Sequence, residues 1–589
     1  MILVILFFLL SCIFPIVKFN KRVEVVLPSV VFTIVLILNL SYCVNLLKIG
    51  YYFVFAAFFI LWILLFAFVF KNGVKNTSKI FATNFFTPAL FIFLIAVVVA
   101  YFITRNNIVT LWDELRLWGA YPKILYYTET TQLKDNAILF SSMKSYFPGM
   151  PLFIYFIEKL SGSFSEAKIF FGYAVFGISL FLPCLNKLRW KKDFIKIIPI
   201  TIIVLVAPLV FYNSLNDCGN YYMSLFIDPI IGLMIAYIFF LAAKGISKDY
   251  FSAYAFIVAN AIIVILKDSG IMFAIISAII VLVVDYKTIK EELKKTVSRI
   301  KYICAFIIPI IIFLQWKMLL IYYGVGASIK FDLKLDFQLD FLVTFIKNLL
   351  FTGVMLSNFD VLNKYLTFGS LFILLTLSFI IIIKLIDKEK RKNYIKTAFG
   401  LLVSMTLFII GFYITCISGF SNNIFSYPRY ISTILLAAFI FLIFCFLYHI
   451  DEIIERLKKD KKINIVLFFM IAIFLIISPL RKAIVYPNEC YKFDLIAEKI
   501  KNKFDNNNYN DKELVQIYLA QNEIGELDFS LTHHGIYFDL IGTNLNIKNY
   551  FTDTQINEDY KDVEFLERLK KEGYDYMYIE TTDELISLK

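Results

Sequence analysis

The chain has 589 residues, of which 60% are hydrophobic and 18% charged, with a formal net charge of +12. A mean hydropathy of +0.75 and repeated apolar runs of bilayer-spanning length exclude a soluble globular enzyme and define an α-helical polytopic membrane protein. The positive excess lies in short loops between the apolar runs, a pattern of membrane topology rather than of nucleic-acid binding.

In chain order, the first apolar run, Met1 to Val17, lacks a basic leader and a small-residue cleavage site, so it reads as a spanning helix and not a signal peptide. The length needed to cross a bilayer predicts about fourteen transmembrane helices. They fall at 1–17, 23–46, 50–70, 86–104, 169–186, 194–213, 225–243, 251–267, 269–285, 302–323, 365–386, 398–418, 431–449 and 463–480. Seven basic segments, 18–22, 71–79, 187–196, 244–249, 285–301, 384–396 and 451–462, then share one side, which the positive-inside rule makes cytoplasmic. The other face receives the long loop 105–168, the loop 213–224, the turn at Lys267 and Asp268, the segment 324–364, the loop 421–430 and everything after 480.

The eight cysteines are scattered, six of them in apolar helices (Cys12, Cys43, Cys184, Cys304, Cys416 and Cys445), and no CxxC pair occurs. Neither a disulfide framework nor a metal site is indicated. Residues 1–480 thus form a transmembrane domain with a large outer loop at 105–168. Residues 481–589 form a small extracytoplasmic α/β domain, with a helix at 491–504, a strand at 515–520, and a helix, a glycine stop at Gly573 and a strand within 563–580. The pair His533 and His534 has no spaced Cys or carboxylate partners and reads as a surface turn.

Four outer segments carry chemistry. In TLWDELRLWGAYPK, Asp113 and Glu114 lie between Trp112 and Trp118. Acids in a first helical turn favour the helix dipole. An acid partly desolvated by aromatic rings also suits a general base acting on a hydroxyl. The loop continues to a rigid aromatic turn, Tyr146-Phe147-Pro148-Gly149, ahead of an apolar helix. In the second segment, Asp217 is a loop acid, and Asp228 before Pro229 has the signature of an N-cap. An ionised acid beside an apolar step is costly and usually functional. Lys267 and Asp268 form a very short turn, where they either satisfy one another or leave Lys267 for a phosphate. Arg429, within YPRY, begins a span on the outer face, where it either snorkels or meets a lipid-linked phosphate.

Together WDELRLWG, LFIDP, LKDSG and YPRY resemble the outer-face motifs of bacterial GT-C glycosyltransferases, most closely over 86–285. The resemblance implies transfer of a sugar from a polyprenyl-phosphate or polyprenyl-diphosphate carrier to a cell-surface glycan, lipid or protein. It implies Asp113 and Glu114 as catalytic acids, with Asp113 the closest match to the family base. Lys267 and Arg429 would hold the donor phosphate, Asp217, Asp228 and Asp268 would be further outer acids, and Trp112, Trp118 and Tyr146 would line the sugar site. The chain departs from the family in having adjacent acids rather than two separated by one residue, so no metal is assigned and the cofactor stays unknown. The large loop also follows the fourth apparent span, not the first. The competing reading is a lipid-linked oligosaccharide flippase, but no internal repeat is visible and the charges sit at span ends. A composition heavy in Ile, Lys, Asn, Phe and Tyr suits an AT-rich bacterial source.

Overall fold

The computed structural model describes residues 1–111, 113–134, 138–139, 143–212, 220–247, 249–292, 296–326, 339–352, 366–419, 427–459, 492–505, 515–520, 534–543, 545–547, 563–579 and 582–588. Among them, nine helices are long and apolar enough to cross a membrane: Ile2–Phe19, Val23–Cys43, Leu47–Asn72, Glu166–Leu185, Trp190–Val210, Arg299–Tyr322, Phe368–Leu385, Lys388–Ile417 and Pro428–Tyr448. The protein is therefore a multi-pass membrane protein. A tenth span arises if Val74–Phe85 and Pro88–Thr104, bent by 54°, are one broken helix. The bend has a local cause. Thr87 accepts the Leu90 N–H and Pro88 occupies the first turn, so a new helix starts there. Most of the segment expected to be a loop at 71–79 is thus helical.

Three expected spans are shorter helices. Asp228–Lys244 and Tyr250–Leu266 have 17 residues each and Gly270–Val284 has 15. The 17-residue helices are roughly 25 Å long at the usual rise. The expected span at 463–480 lies outside the described residues.

Helix Asp228–Lys244 is the centre of the membrane part. Every residue from Asp228 to Ala243 is buried, as an all-apolar helix requires. It packs in parallel against Tyr427–Tyr448, and Gly232 permits the close approach. A Cβ at Gly232 would lie 2.8 Å from the Thr433 carbonyl oxygen.

The basic segments are joined to one another at one end of these helices. Lys21 pairs with Asp249 at 2.8 Å, Arg22 Nη2 donates to the Leu188 carbonyl at 2.9 Å, and Lys192 pairs with Asp451 at 3.0 Å. Lys390 pairs with Glu452 at 2.8 Å, and Lys301 donates to the Ser247 carbonyl at 3.1 Å. Asn84, at the end of the amphipathic helix Val74–Phe85, donates to Asn20 at 2.7 Å.

The C-terminal part holds helix Lys492–Asp505, helix Val563–Lys571 and four strands: β1 (Val515–Ala520), β2 (Leu545–Ile547), β3 (Tyr576–Ile579) and β4 (Glu584–Ser587). The strand order is β2-β1-β3-β4, with β2 and β3 parallel to β1 and β4 antiparallel to β3. Gly573, at φ +85°, supplies the left-handed turn between helix and strand. His534 is buried at 3% exposure in a helical stretch at 534–540, not in a surface turn. His533 lies outside the described residues.

The Gly232 contact gives a direct test. Gly232→Ala forces a Cβ against backbone and is expected to destabilise the protein by about 1–3 kcal/mol. Gly411→Ala, with nothing within 4 Å of the new Cβ, is expected to be neutral or stabilising by up to about 1 kcal/mol. Thermal unfolding in detergent reads both. Equal melting temperatures for the two variants would refute the close packing.

Candidate functional site

At the end of the central helices opposite the basic segments, four charged groups from four separate segments form a chain. Arg429 Nη1 donates to Asp113 Oδ2 at 2.8 Å, and Arg429 Nε lies 3.4 Å from Asp228 Oδ2. Lys267 Nζ donates to Asp228 Oδ1 at 2.6 Å. The order Asp113–Arg429–Asp228–Lys267 alternates in sign. Side-chain exposure falls from 29% at Asp113 to 3% at Asp228 and returns to 24% at Lys267. The two ends of the chain are partly exposed, Arg429 is less so, and Asp228 is buried.

Each member is held by its element. Asp228 opens its helix ahead of Pro229, but it caps no amide: Ile227 is the N-cap residue and no side-chain cap is made. Its carboxylate is taken by the two cations instead. Lys267 follows the last residue of Tyr250–Leu266. Arg429 lies in the first turn of Tyr427–Tyr448, where its own carbonyl accepts the Tyr212 hydroxyl at 3.1 Å. Its guanidinium stands 4.8 Å from the Phe226 ring centroid and 5.3 Å from that of Tyr430. Lys267 stands 4.9 Å over the same Tyr430 ring. Aromatic faces thus surround both cations where water is scarce.

Glu114 plays a different part from Asp113. It is 0% exposed. Its Oε1 accepts the Leu225 N–H at 2.6 Å, and its Oε2 accepts those of Leu111 and Thr110 at 3.3 and 3.4 Å. It therefore ties the segment bearing Asp113 to the segment leading into Asp228. Glu114–Trp118 is a single π-helical turn, closed by the Gly119 N–H on the Glu114 carbonyl at 2.8 Å. Such turns recur at functional sites. Burial pushes the Glu114 carboxyl from 4.5 up to about 7, against the opposing pull of the Leu225, Leu111 and Thr110 amides and the Ser224 hydroxyl.

Among the other expected site residues, Tyr146 lies within electrostatic range of Tyr430, Lys267, Asp113 and Arg429. Burial, then Tyr430, pushes its phenol up. Trp118 is buried and stacks edge-on against Tyr146, with ring centroids 5.8 Å apart. Asp268 is not in the chain. It turns to Lys317 at 2.7 Å and is 59% exposed, so Lys267 and Asp268 do not satisfy one another. Trp112 and Asp217 lie outside the described residues. Tyr430, one of the tyrosines that flank Arg429 in YPRY, joins the site, and so does Phe226, which was not singled out and whose only sequence signal is its place two residues before Asp228 in LFIDP. Among the described residues, no group of three or more His, Cys, Asp or Glu side chains is arranged to hold a metal ion. The positive charge between Asp113 and Asp228 is the Arg429 guanidinium.

No protein-family model, curated protein or solved structure matches the chain.

Two measurements follow from this geometry. Asp228→Asn leaves two cations facing a neutral amide and is expected to cost about 3–5 kcal/mol, as for a broken buried pair. Asp268→Asn breaks an exposed pair and is expected to cost about 0–1 kcal/mol. Similar costs in unfolding experiments would contradict the burial of the chain. For Glu114, the folded carboxyl keeps its proton up to about pH 7 whereas the unfolded one loses it near 4.5. The native state then binds more protons between these values. Its stability is full below about 4.5 and falls as pH rises towards 7, by about 1.4 kcal/mol per pH unit. The Glu114→Gln variant is expected to show a flatter melting profile over this range. An unchanged slope would show that Glu114 is not the titrating group.

Proposed function

We propose that the chain is a GT-C type glycosyltransferase that moves a sugar from a polyprenyl-phosphate or polyprenyl-diphosphate carrier to a cell-surface acceptor. The carrying observation is the convergence of Asp113, Arg429, Asp228 and Lys267, an acid with partial solvent access beside two cations, at one end of a helix bundle. Ionisable groups held at membrane depth or at span ends are costly, and function is the default reason to keep them.

The topology behind this reading is a fourteen-span protein of the cell membrane. It counts the nine long helices, the broken pair, the three shorter helices and the run at 463–480. The joined basic segments are taken as cytoplasmic, which puts the charged chain outside. The same assignment puts the loop 105–168 and the C-terminal domain outside together. The Lys123 ammonium, which donates to the Phe538 carbonyl at 2.7 Å, supports that shared side. Nucleotide sugars and ATP are absent there, so the donor is lipid-linked.

In the proposed reaction, the acceptor hydroxyl oxygen attacks the anomeric carbon and its proton passes to Asp113. The bond from that carbon to the carrier phosphate breaks, and the phosphate leaves with the electron pair. Direct displacement inverts the anomeric centre. Arg429 and Lys267 stabilise the departing charge. The weakest contact of the guanidinium, Nη2 at 3.5 Å from the Tyr430 hydroxyl, is the one a phosphate oxygen would replace at least loss. Asp228 Oδ1 engages one of the three N–H donors of the Lys267 ammonium. Asp228 keeps both cations in place, and Glu114 is a positioning residue for Asp113. Tyr146, which is only partly buried, offers its ring to the sugar, whereas Trp118 is buried behind it and supports that ring edge-on instead of lining the sugar site.

The test compares the surface glycans of a deletion strain, the same strain carrying the native gene, and the same strain carrying Asp113→Asn at equal membrane abundance. Loss of a sugar on deletion, restored by the native gene and not by Asp113→Asn, is expected. Full restoration by Asp113→Asn would defeat the general-base role and favour a flippase.

A further inference from the structure

Away from the charged chain, a cleft of about 420 Å³ opens where the C-terminal part meets the loop region 105–168. Tyr127, Phe164 and Glu166 line it from the membrane part, and Lys501, Asp539 and Thr543 from the C-terminal part. Its size lies within the usual range of small-ligand sites, about 300–1,000 Å³.

The cleft sits in a packed seam and is not a gap between loosely apposed bodies. Lys123, which also lines it, lies 4.1 Å over the Phe538 ring in addition to bonding the Phe538 carbonyl. The Tyr537 hydroxyl donates to the Ile138 carbonyl at 3.3 Å. Gly542 has φ +104°, and a Cβ there would lie 2.8 Å from the Tyr127 ring, so only glycine allows this approach.

The lining selects a ligand class. Two carboxylates and two ammonium groups balance, which disfavours a polyanion such as a lipid diphosphate and equally a basic peptide. A purely apolar ligand would shut this charged and polar lining away from water while offering it no hydrogen bond in return. What remains is a neutral, polyhydroxylated molecule. Its hydroxyls bond carboxylates, ammonium groups and the Thr543 hydroxyl, and its C–H faces pack on Tyr127 and Phe164. The cleft is also wired to the charged chain. Glu166 Oε2 accepts the Val109 N–H at 2.7 Å, and the next two amides, of Thr110 and Leu111, are those that bond Glu114.

We infer that this cleft binds a neutral saccharide chain. That the chain belongs to the acceptor rests on the transferase reading above. Occupancy would steady residues 109–111, and with them Glu114, through Glu166 while the chain's end reaches Asp113.

The test uses full-length protein purified in detergent. The probes are fluorescently labelled neutral oligosaccharides released from the surface glycan of the source strain. Native protein and Asp113→Asn are expected to bind them equally, with Tyr127→Ala and Lys501→Gln each weakening binding at least tenfold. Tyr127 is 49% exposed, so its truncation leaves the fold intact, and a melting curve for each variant verifies this. Absence of binding to native protein, or native-like binding by both variants, would overturn the inference and leave the Asp113 result untouched. Binding lost in both variants, in a protein whose Asp113→Asn form still restores the glycan, would uphold the cleft and remove the transferase.

Discussion

An ionised group inside a mostly apolar protein must find its counter-charge, and here that requirement organises one whole end of the molecule. Asp228 is buried and draws Lys267 and Arg429 to itself, and Arg429 in turn draws Asp113. No member is satisfied by its sequence neighbours. The chain of alternating charges locks the ends of three helices and one loop together, because removing its buried centre, Asp228, would leave Lys267 without its carboxylate and Arg429 with only Asp113. An arrangement so costly to build is also preorganised. Its charges are already aimed, and little reorganisation is needed when a charged group enters.

The helices below supply the rigidity that such alignment needs. Asp228–Lys244 is enclosed on all sides and meets Tyr427–Tyr448 closely through Gly232, so Asp228 and Arg429 begin their helices side by side. The loop bearing Asp113 has no such scaffold of its own. Glu114 provides it, by taking three backbone amides with a carboxyl group that never reaches solvent. Two adjacent acids thus divide the work by environment. One faces its cationic partner with access to water, and the other is a buried brace. Asp113 immediately precedes the π-helical turn that Glu114 opens, and two adjacent residues of a helical turn leave its axis in different directions.

The C-terminal α/β part belongs to the same end of the molecule. Its helical stretch 534–540 contacts the loop region through Lys123 and Ile138. The Glu166 carboxylate then reaches back to the segment before Asp113. From the polar cleft, a bonded path therefore runs through Glu166 and the amides of Val109, Thr110 and Leu111 to Glu114, the neighbour of Asp113 in the charged chain.

Hydropathy is a local property, and what depends on it was legible in the sequence: the membrane class, the positions of the long helices, the amphipathic C-terminal helices and strands β1 and β3. The positions of Asp113, Asp228, Lys267 and Arg429 were also legible, because a charge at the end of an apolar run stands out. Their partners were not. Lys267 and Asp268 are adjacent in sequence yet turn to different elements, Asp228 bonds cations where its sequence signature is that of a cap, and Glu114 is a brace although it sits beside Asp113. The helix at 74–85 was hidden because its lysines read as a loop, whereas the start of the next span near residue 86 was legible. Sequence alone determined which residues the membrane would tolerate only at its edges. The packing of helices decided which of them meet, since 316 residues separate Arg429 from Asp113 and only the tertiary fold brings such distant charges within hydrogen-bonding distance.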